Sequence, residues 1–209
     1  MRLDHIDKLD GCLHRLPAFI QQHSRAVAYY TQALTDQIVS TPAIACFGKD
    51  GVFRNADVGL LGRYHDVGKV GLANAVWESS APLSPLDKKL IQTHPIIGAH
   101  LVTETLPRPV TGEETHNLWD IMAQCCLYHH ERWDGKGYPF GLQGDEIPVF
   151  ARIVGLADAF DAMTADRPYR RGVSKQEALQ EIQREAGAQF DPVVADIFCA
   201  LIEERGMVG

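Results

Sequence analysis

Apolar residues recur near a 3.6-residue period along most of this chain, and several of its histidines stand where those stretches break. Such a pattern reads as a mostly helical chain. From Gln21 to Val39 the apolar positions Ala26, Val27, Tyr30, Ala33, Leu34 and Ile38 share a face, and Pro42 stops the helix. Helix resumes from about Ala56 to Asp66. Ser84-Pro85 supplies an N-cap and a first helical residue for a helix to about Thr93, and Pro95 marks a break or a fresh start. Glu114 to His130 is periodic up to a glycine-rich loop, and Phe150 to Ala165 forms the next helix. Ser174 to Glu177 reads as a capping box, and Asp191-Pro192 opens the last helix. The one β-prone segment, AIACFGKDGVFR, reads as a hairpin turning at Gly48 to Gly51.

With 209 residues the chain is long enough for one domain with a sizeable core, and no repeat or linker divides it. A formal net charge of −7 argues against a footprint for duplex nucleic acid. No apolar run approaches the roughly 18 residues that span a bilayer, and MRLDHIDKLDG has no signal-peptide core. Five cysteines without a framework fit reduced thiols, so a cytoplasmic setting is expected.

The stretch YHHERWDGKGYPFG, from Tyr128 to Gly141, sets adjacent histidines against a loop rich in glycine. Two neighbouring histidines cannot both face one core from mid-helix, but at a helix end they can converge. His65-Asp66, His94, His129-His130 and Asp158 lie at or near helix ends, and His23 near a helix start. Singly, each is most simply a surface or hydrogen-bonded residue. Together they supply imidazoles and carboxylates without thiolates, a set suited to iron, manganese, nickel or zinc. An aspartate can bridge two cations, and two metals roughly 3.5–4 Å apart are the arrangement used for phosphoryl chemistry.

YHDVGK, THPIIGAHLV, YHHERWDGKGYP, IPVFARIVGLADAFDAMTADRPYR and FDPVV, in this order, resemble the HD-GYP domain, a bacterial branch of the HD metal-dependent phosphohydrolases. The resemblance implies an all-α HD-domain helical bundle over 1–209, with 1–17 as an N-terminal extension and the hairpin segment 42–55 as an insertion. Three roles stay open for that insertion: capping the pocket, dimerisation, or a tolerated surface loop. The resemblance also implies hydrolysis of cyclic di-GMP by a hydroxide activated between two divalent metals, most simply Fe or Mn, with Zn or Ni as alternatives. His23, His65, Asp66 and Asp158 would hold one metal, and Asp66 would bridge to a second held by His94, His129 and His130. Lys69 would sit near the metals, Arg167 and Arg170 would contact phosphate, and Tyr138 would support its loop or touch the ligand. Where some members carry a glutamate for a third metal, this chain has Phe19, so a two-metal site and linear pGpG as the main product are expected, with onward cleavage to GMP left open.

Two other functions share these residues. One is hydrolysis of another cyclic dinucleotide, such as cyclic GMP-AMP. The other is a non-turnover module that meets a diguanylate cyclase domain through the GYP loop. Glu131 and Asp134 read as acceptors that hold the loop, and Asp161 reads equally as support or as a direct participant. Arg132 and Arg152 read as salt-bridge residues, Cys125 as a buried thiol, and His5, His14, His100 and His116 as structural or solvated.

Overall fold

A computed structural model describes residues 3–42, 58–73, 76, 84–105, 118–166 and 171–206, and these form helices and turns with no paired strands among them. The helices are α1 (Leu3–His14), α2 (Ala18–Ser40), α3 (Gly59–Tyr64), α4 (Pro85–Ile91), α5 (His94–Thr105), α6 (Leu118–Tyr128), α7 (Val149–Thr164), α8 (Lys175–Arg184) and α9 (Pro192–Glu204). A 3-10 turn over Val67–Gly71 follows α3, and another spans Gly144–Glu146. The all-α expectation holds. Most of the hairpin segment 42–55, together with Arg167 and Arg170, lies outside the described residues.

Local chemistry accounts for the helix starts. Ser84 accepts from Asp87 N and the Asp87 carboxylate accepts from Ser84 N; Ser174 and Glu177 repeat that reciprocal cap. The Asp191 side chain accepts from Val193 N and Val194 N, with Pro192 in the first turn. Pro95 proves to be a fresh start, because α5 begins at His94. The long stretch ends two residues earlier than its periodicity suggests: α6 closes at Tyr128 and leaves His129 and His130 in the turn beyond it.

Helix α2 packs on α3 and α7, α5 packs on α6 and on the first 3-10 turn, and α8 and α9 close over α7. Their contact buries Val27, Leu34, Leu61, Met122, Val154, Phe160 and Phe198 in one hydrophobic core. Two glycines allow the crossings that matter. A Cβ on Gly62 would stand 2.6 Å from Thr31 Oγ1 and 2.7 Å from the Val27 carbonyl, so α3 rides directly on the α2 backbone. A Cβ on Gly68 would run into the His94 carbonyl and the Gly98 backbone, so the 3-10 turn touches α5 at its first residue. The first crossing brings His23 towards His65, and the second brings Asp66 towards His94.

The segment 1–17, read as an extension, contains α1. Leu9 and Leu13 are buried in the core, and α1 touches both α5 and the 3-10 turn.

Candidate metal centre

Nine of the eleven residues singled out in the sequence lie in one place. His23 comes from α2, His65 from the end of α3, Asp66 and Lys69 from the 3-10 turn, and His94 from the start of α5. His129 and His130 follow α6, Tyr138 lies in the loop beyond, and Asp158 is on α7. Three groups of ligand atoms form, each within 4.8 Å internally: Asp66, His94, His129 and His130; His23, His65 and Asp66; and His65, His129 and Asp158. Asp66 belongs to the first two, and the third links them. Asp158 joins the second group through His23, its Oδ1 lying 2.9 Å from His23 Nε2 and 3.8 Å from His65 Nε2.

The far side of each ring decides what the near side can do. His65 Nδ1 donates to the Gly62 carbonyl at 2.7 Å, and His94 Nδ1 donates to Ile91 O at 2.6 Å. His129 Nδ1 donates to the carbonyls of Cys125 and Cys126, at 2.9 and 3.0 Å. A carbonyl only accepts, so the Nδ1 proton is fixed and each neutral ring turns an Nε2 lone pair inward. His94 Nε2 lies 3.1 Å from Asp66 Oδ1 and 3.4 Å from His129 Nε2. Acceptor faces acceptor in both pairs. His65 Nε2 and Asp66 Oδ1 are fully buried and have no hydrogen-bond partner. Only a proton or a cation can reconcile such an arrangement, and the donor set suits a borderline divalent metal. The residues therefore fit a metal.

A cavity of about 520 Å³ opens beside the cluster, with His130, Tyr138, Asp158, Trp133 and Arg152 among its walls. A family model described as "HD domain" matches residues 15–205. The chain belongs to the HD domain family. The HD-GYP resemblance of its motifs agrees with curated relatives. A probable cyclic di-GMP phosphodiesterase of Vibrio cholerae is 38% identical over 144 residues, covering 69% of this chain and 32% of the relative. A cyclic di-GMP phosphodiesterase of Thermotoga maritima is 34% identical over 140 residues, covering 67% of this chain and 36% of the relative. The chain thus spans about a third of the length of these relatives. An HDG"Y"P protein from Bdellovibrio bacteriovorus shares the fold, with a TM-score of 0.62 and 20% identity over 88% of this chain and 52% of that one.

Charge in this HD domain is arranged around Asp66. Burial raises the Asp66 pKa, but Lys69, His65 and His94 together hold the carboxyl well below its usual range. Lys69 Nζ is ion-paired with Asp66 Oδ2. Asp158 behaves likewise: burial opposes ionisation, and His23 and His65 more than offset it. Burial lowers the His65 pKa, yet Asp66 and Asp158 raise it to about 10. At neutral pH a proton therefore sits on His65 where a cation would otherwise balance the two carboxylates. His130 goes the opposite way, to about 3, because burial outweighs the pull of Asp158 and Asp66. His129 is pushed well down by burial and by its histidine neighbours, so both rings are held neutral.

Supporting residues surround the cluster. Asp161 Oδ2 accepts from His23 Nδ1 at 2.6 Å, a contact that supports that ring from behind. Glu131 holds the glycine-rich loop, accepting from Phe140 N at 2.7 Å and Leu142 N at 3.1 Å. Tyr138 stacks on His130, with ring centroids 4.7 Å apart and planes at 27°. Arg132 is paired with Asp134 and Glu185, and Arg152 with Asp145 and Asp191, as ordinary salt bridges. Cys125 is buried, whereas His14 and His100 are exposed. Phe19 packs against the core and brings no ligand atom to the site. Among the described residues, a contributor that no motif marked is Asp10, which meets Tyr64 and Arg63 just before His65.

Proposed function

We propose that this chain hydrolyses cyclic di-GMP to linear pGpG, using two divalent cations, Fe or Mn, that share Asp66. The observation that carries this reading is the pair of ligand-atom groups meeting at one buried carboxylate, where His65 Nε2 and Asp66 Oδ1 are left without hydrogen-bond partners. The names of the curated relatives point to the same substrate. His23, His65, Asp66 and Asp158 form the first cation site, and Asp66, His94, His129 and His130 the second. Cations so placed lower the pKa of water and balance charge on a phosphodiester.

The chain's own groups do the rest. Lys69, ion-paired with Asp66, sets a fixed positive charge beside the cluster for the phosphate oxygens. Tyr138 borders the cavity and contacts the dinucleotide, while Arg167 and Arg170 offer planar guanidinium groups for bidentate hydrogen bonds to phosphate. The fold acts as a single domain in the cytoplasm. Its GYP loop, with Phe140 59% exposed, is the surface offered to a diguanylate cyclase domain. Among the described residues no helix is long and apolar enough to cross a membrane.

The test is turnover by the chain purified without oxygen and supplied with Fe(II) or Mn(II), offered cyclic di-GMP and cyclic GMP-AMP in parallel, with metal counted in the same sample. Cyclic di-GMP cleaved to pGpG with about two metals per chain is the expected result. Preferential cleavage of cyclic GMP-AMP would replace the substrate assignment. Full metal loading without cleavage of either would make the chain a binding module. Asp66→Ala should abolish turnover, and wild-type turnover in that variant would remove the shared-carboxylate mechanism.

A further inference from the structure

Helix α1 lies outside the segment matched by the HD domain family, yet it holds the chain just before His65-Asp66. One oxygen of Asp10 takes three hydrogen bonds. Arg63 donates from Nε at 3.2 Å and from Nη2 at 2.7 Å, and the Tyr64 hydroxyl donates at 2.9 Å. Tyr64 is fully buried, and Asp10 is the acceptor that its hydroxyl meets. Its hydroxyl is thus a committed donor whose acceptor lies on another helix.

Tyr64 leads to the cluster by two routes. It is joined by a peptide bond to His65. Its carbonyl also accepts from Cys126 Sγ at 3.3 Å, and the Cys126 carbonyl in turn accepts from His129 Nδ1. One side chain on α1 therefore reaches a ligand from each of the two groups that share Asp66. Helix α1 also touches α5, which begins at His94, and the 3-10 turn that follows Asp66.

We propose that Asp10 is a positioning residue, which through Tyr64 sets the placement of His65, Asp66 and His129 and so governs how tightly the cluster holds metal. This rests on the metal-centre reading but not on the identity of the substrate. A displacement of α1, whatever imposes it, would then be felt as a change in metal affinity.

The experiment is titration of the metal-stripped full chain with Mn(II), with thermal unfolding of the metal-free form measured alongside. Asp10→Ala should weaken Mn(II) binding by about tenfold, at the lower end of what supporting partners of metal ligands contribute. Tyr64→Phe keeps the ring and removes only the hydroxyl, so it should weaken binding comparably. The double variant should fall short of the product of the two effects, because both remove the Asp10–Tyr64 hydrogen bond. Asp7→Ala removes the same charge from the exposed face of α1 and should leave the affinity unchanged. If Asp10→Ala does not fold, Tyr64→Phe decides by the same readout.

Wild-type Mn(II) affinity in both variants, even with a lowered Tm, would overturn the proposal by reducing Asp10 to a structural contact. An equal loss in Asp7→Ala would overturn it by tracing the effect to net charge. Asp10-dependent metal binding in a chain that cleaves no cyclic dinucleotide would support this inference while removing the proposed function.

Discussion

Asp161 Oδ2 accepts a hydrogen bond from His23 Nδ1 at 2.6 Å, across 138 positions of sequence. The contact fixes which nitrogen of His23 carries the proton and turns Nε2 towards Asp158, 2.9 Å away. A carboxylate behind a metal-binding imidazole both orients the ring and raises its basicity. Asp161→Ala should therefore lower metal affinity by about 10–100-fold, and Asp161→Asn, which keeps a carbonyl acceptor, should lower it less. Competition with a chelator of known affinity measures both. Equal affinity in Asp161→Ala and the wild type would mean that α2 alone orients His23.

Metal uptake should release protons. His65 is raised to about 10, and His23 is also raised, because hydrogen bonds to Asp158 and Asp161 outweigh the effect of burial. A raised histidine in the metal-free chain contributes stability that is fully present below its unfolded pKa of about 6.5 and is lost as pH rises towards 10. A cation must displace that proton, so metal affinity should climb with pH across the neutral range and level off near 10. Calorimetric titration in buffers of different ionisation enthalpy should show at least about one proton released per chain at neutral pH. A pH-independent affinity over that window would contradict the protonated His65.

Gly68 has no room for a side chain. Its Cβ would meet backbone at both His94 and Gly98, and backbone cannot rotate out of the way. Gly68→Ala should destabilise the metal-free chain by about 1–3 kcal/mol, as overpacking does, and lower Tm by roughly 2–4 °C for each kcal/mol. It should also weaken metal binding, because the crossing sets Asp66 against His94. Thermal unfolding and Mn(II) titration of one preparation would test the two effects together.

Tyr138 allows two roles to be separated. The ring stacks on His130 and should restrain that ligand, while the hydroxyl would serve the substrate. Tyr138→Phe should keep the metal and raise KM for cyclic di-GMP. Tyr138→Ala should in addition weaken metal binding a few-fold, in line with the roughly 0.5–1.5 kcal/mol of an aromatic pair. Equal metal affinity in both variants would confine Tyr138 to substrate contact.

Much of the fold was legible because its signals are local. The reciprocal caps at Ser84 and Ser174 and the Asp191-Pro192 start depend on residues three or four positions apart, and they form as the spacing implies. The histidines and aspartates of the cluster were marked by their motifs, which stand at or near helix ends, and the structure brings them together. What could not be read along the chain depends on how helices cross. Whether His94 Nε2 faces Asp66, whether Asp161 stands behind His23, and whether Asp10 closes on Tyr64 are set by contacts between residues far apart in sequence. Periodicity specifies which face of a helix is buried, but not which neighbour covers it. Here that choice was made by packing at Gly62 and Gly68, where the absence of a side chain lets two backbones meet and brings the ligands into one cluster.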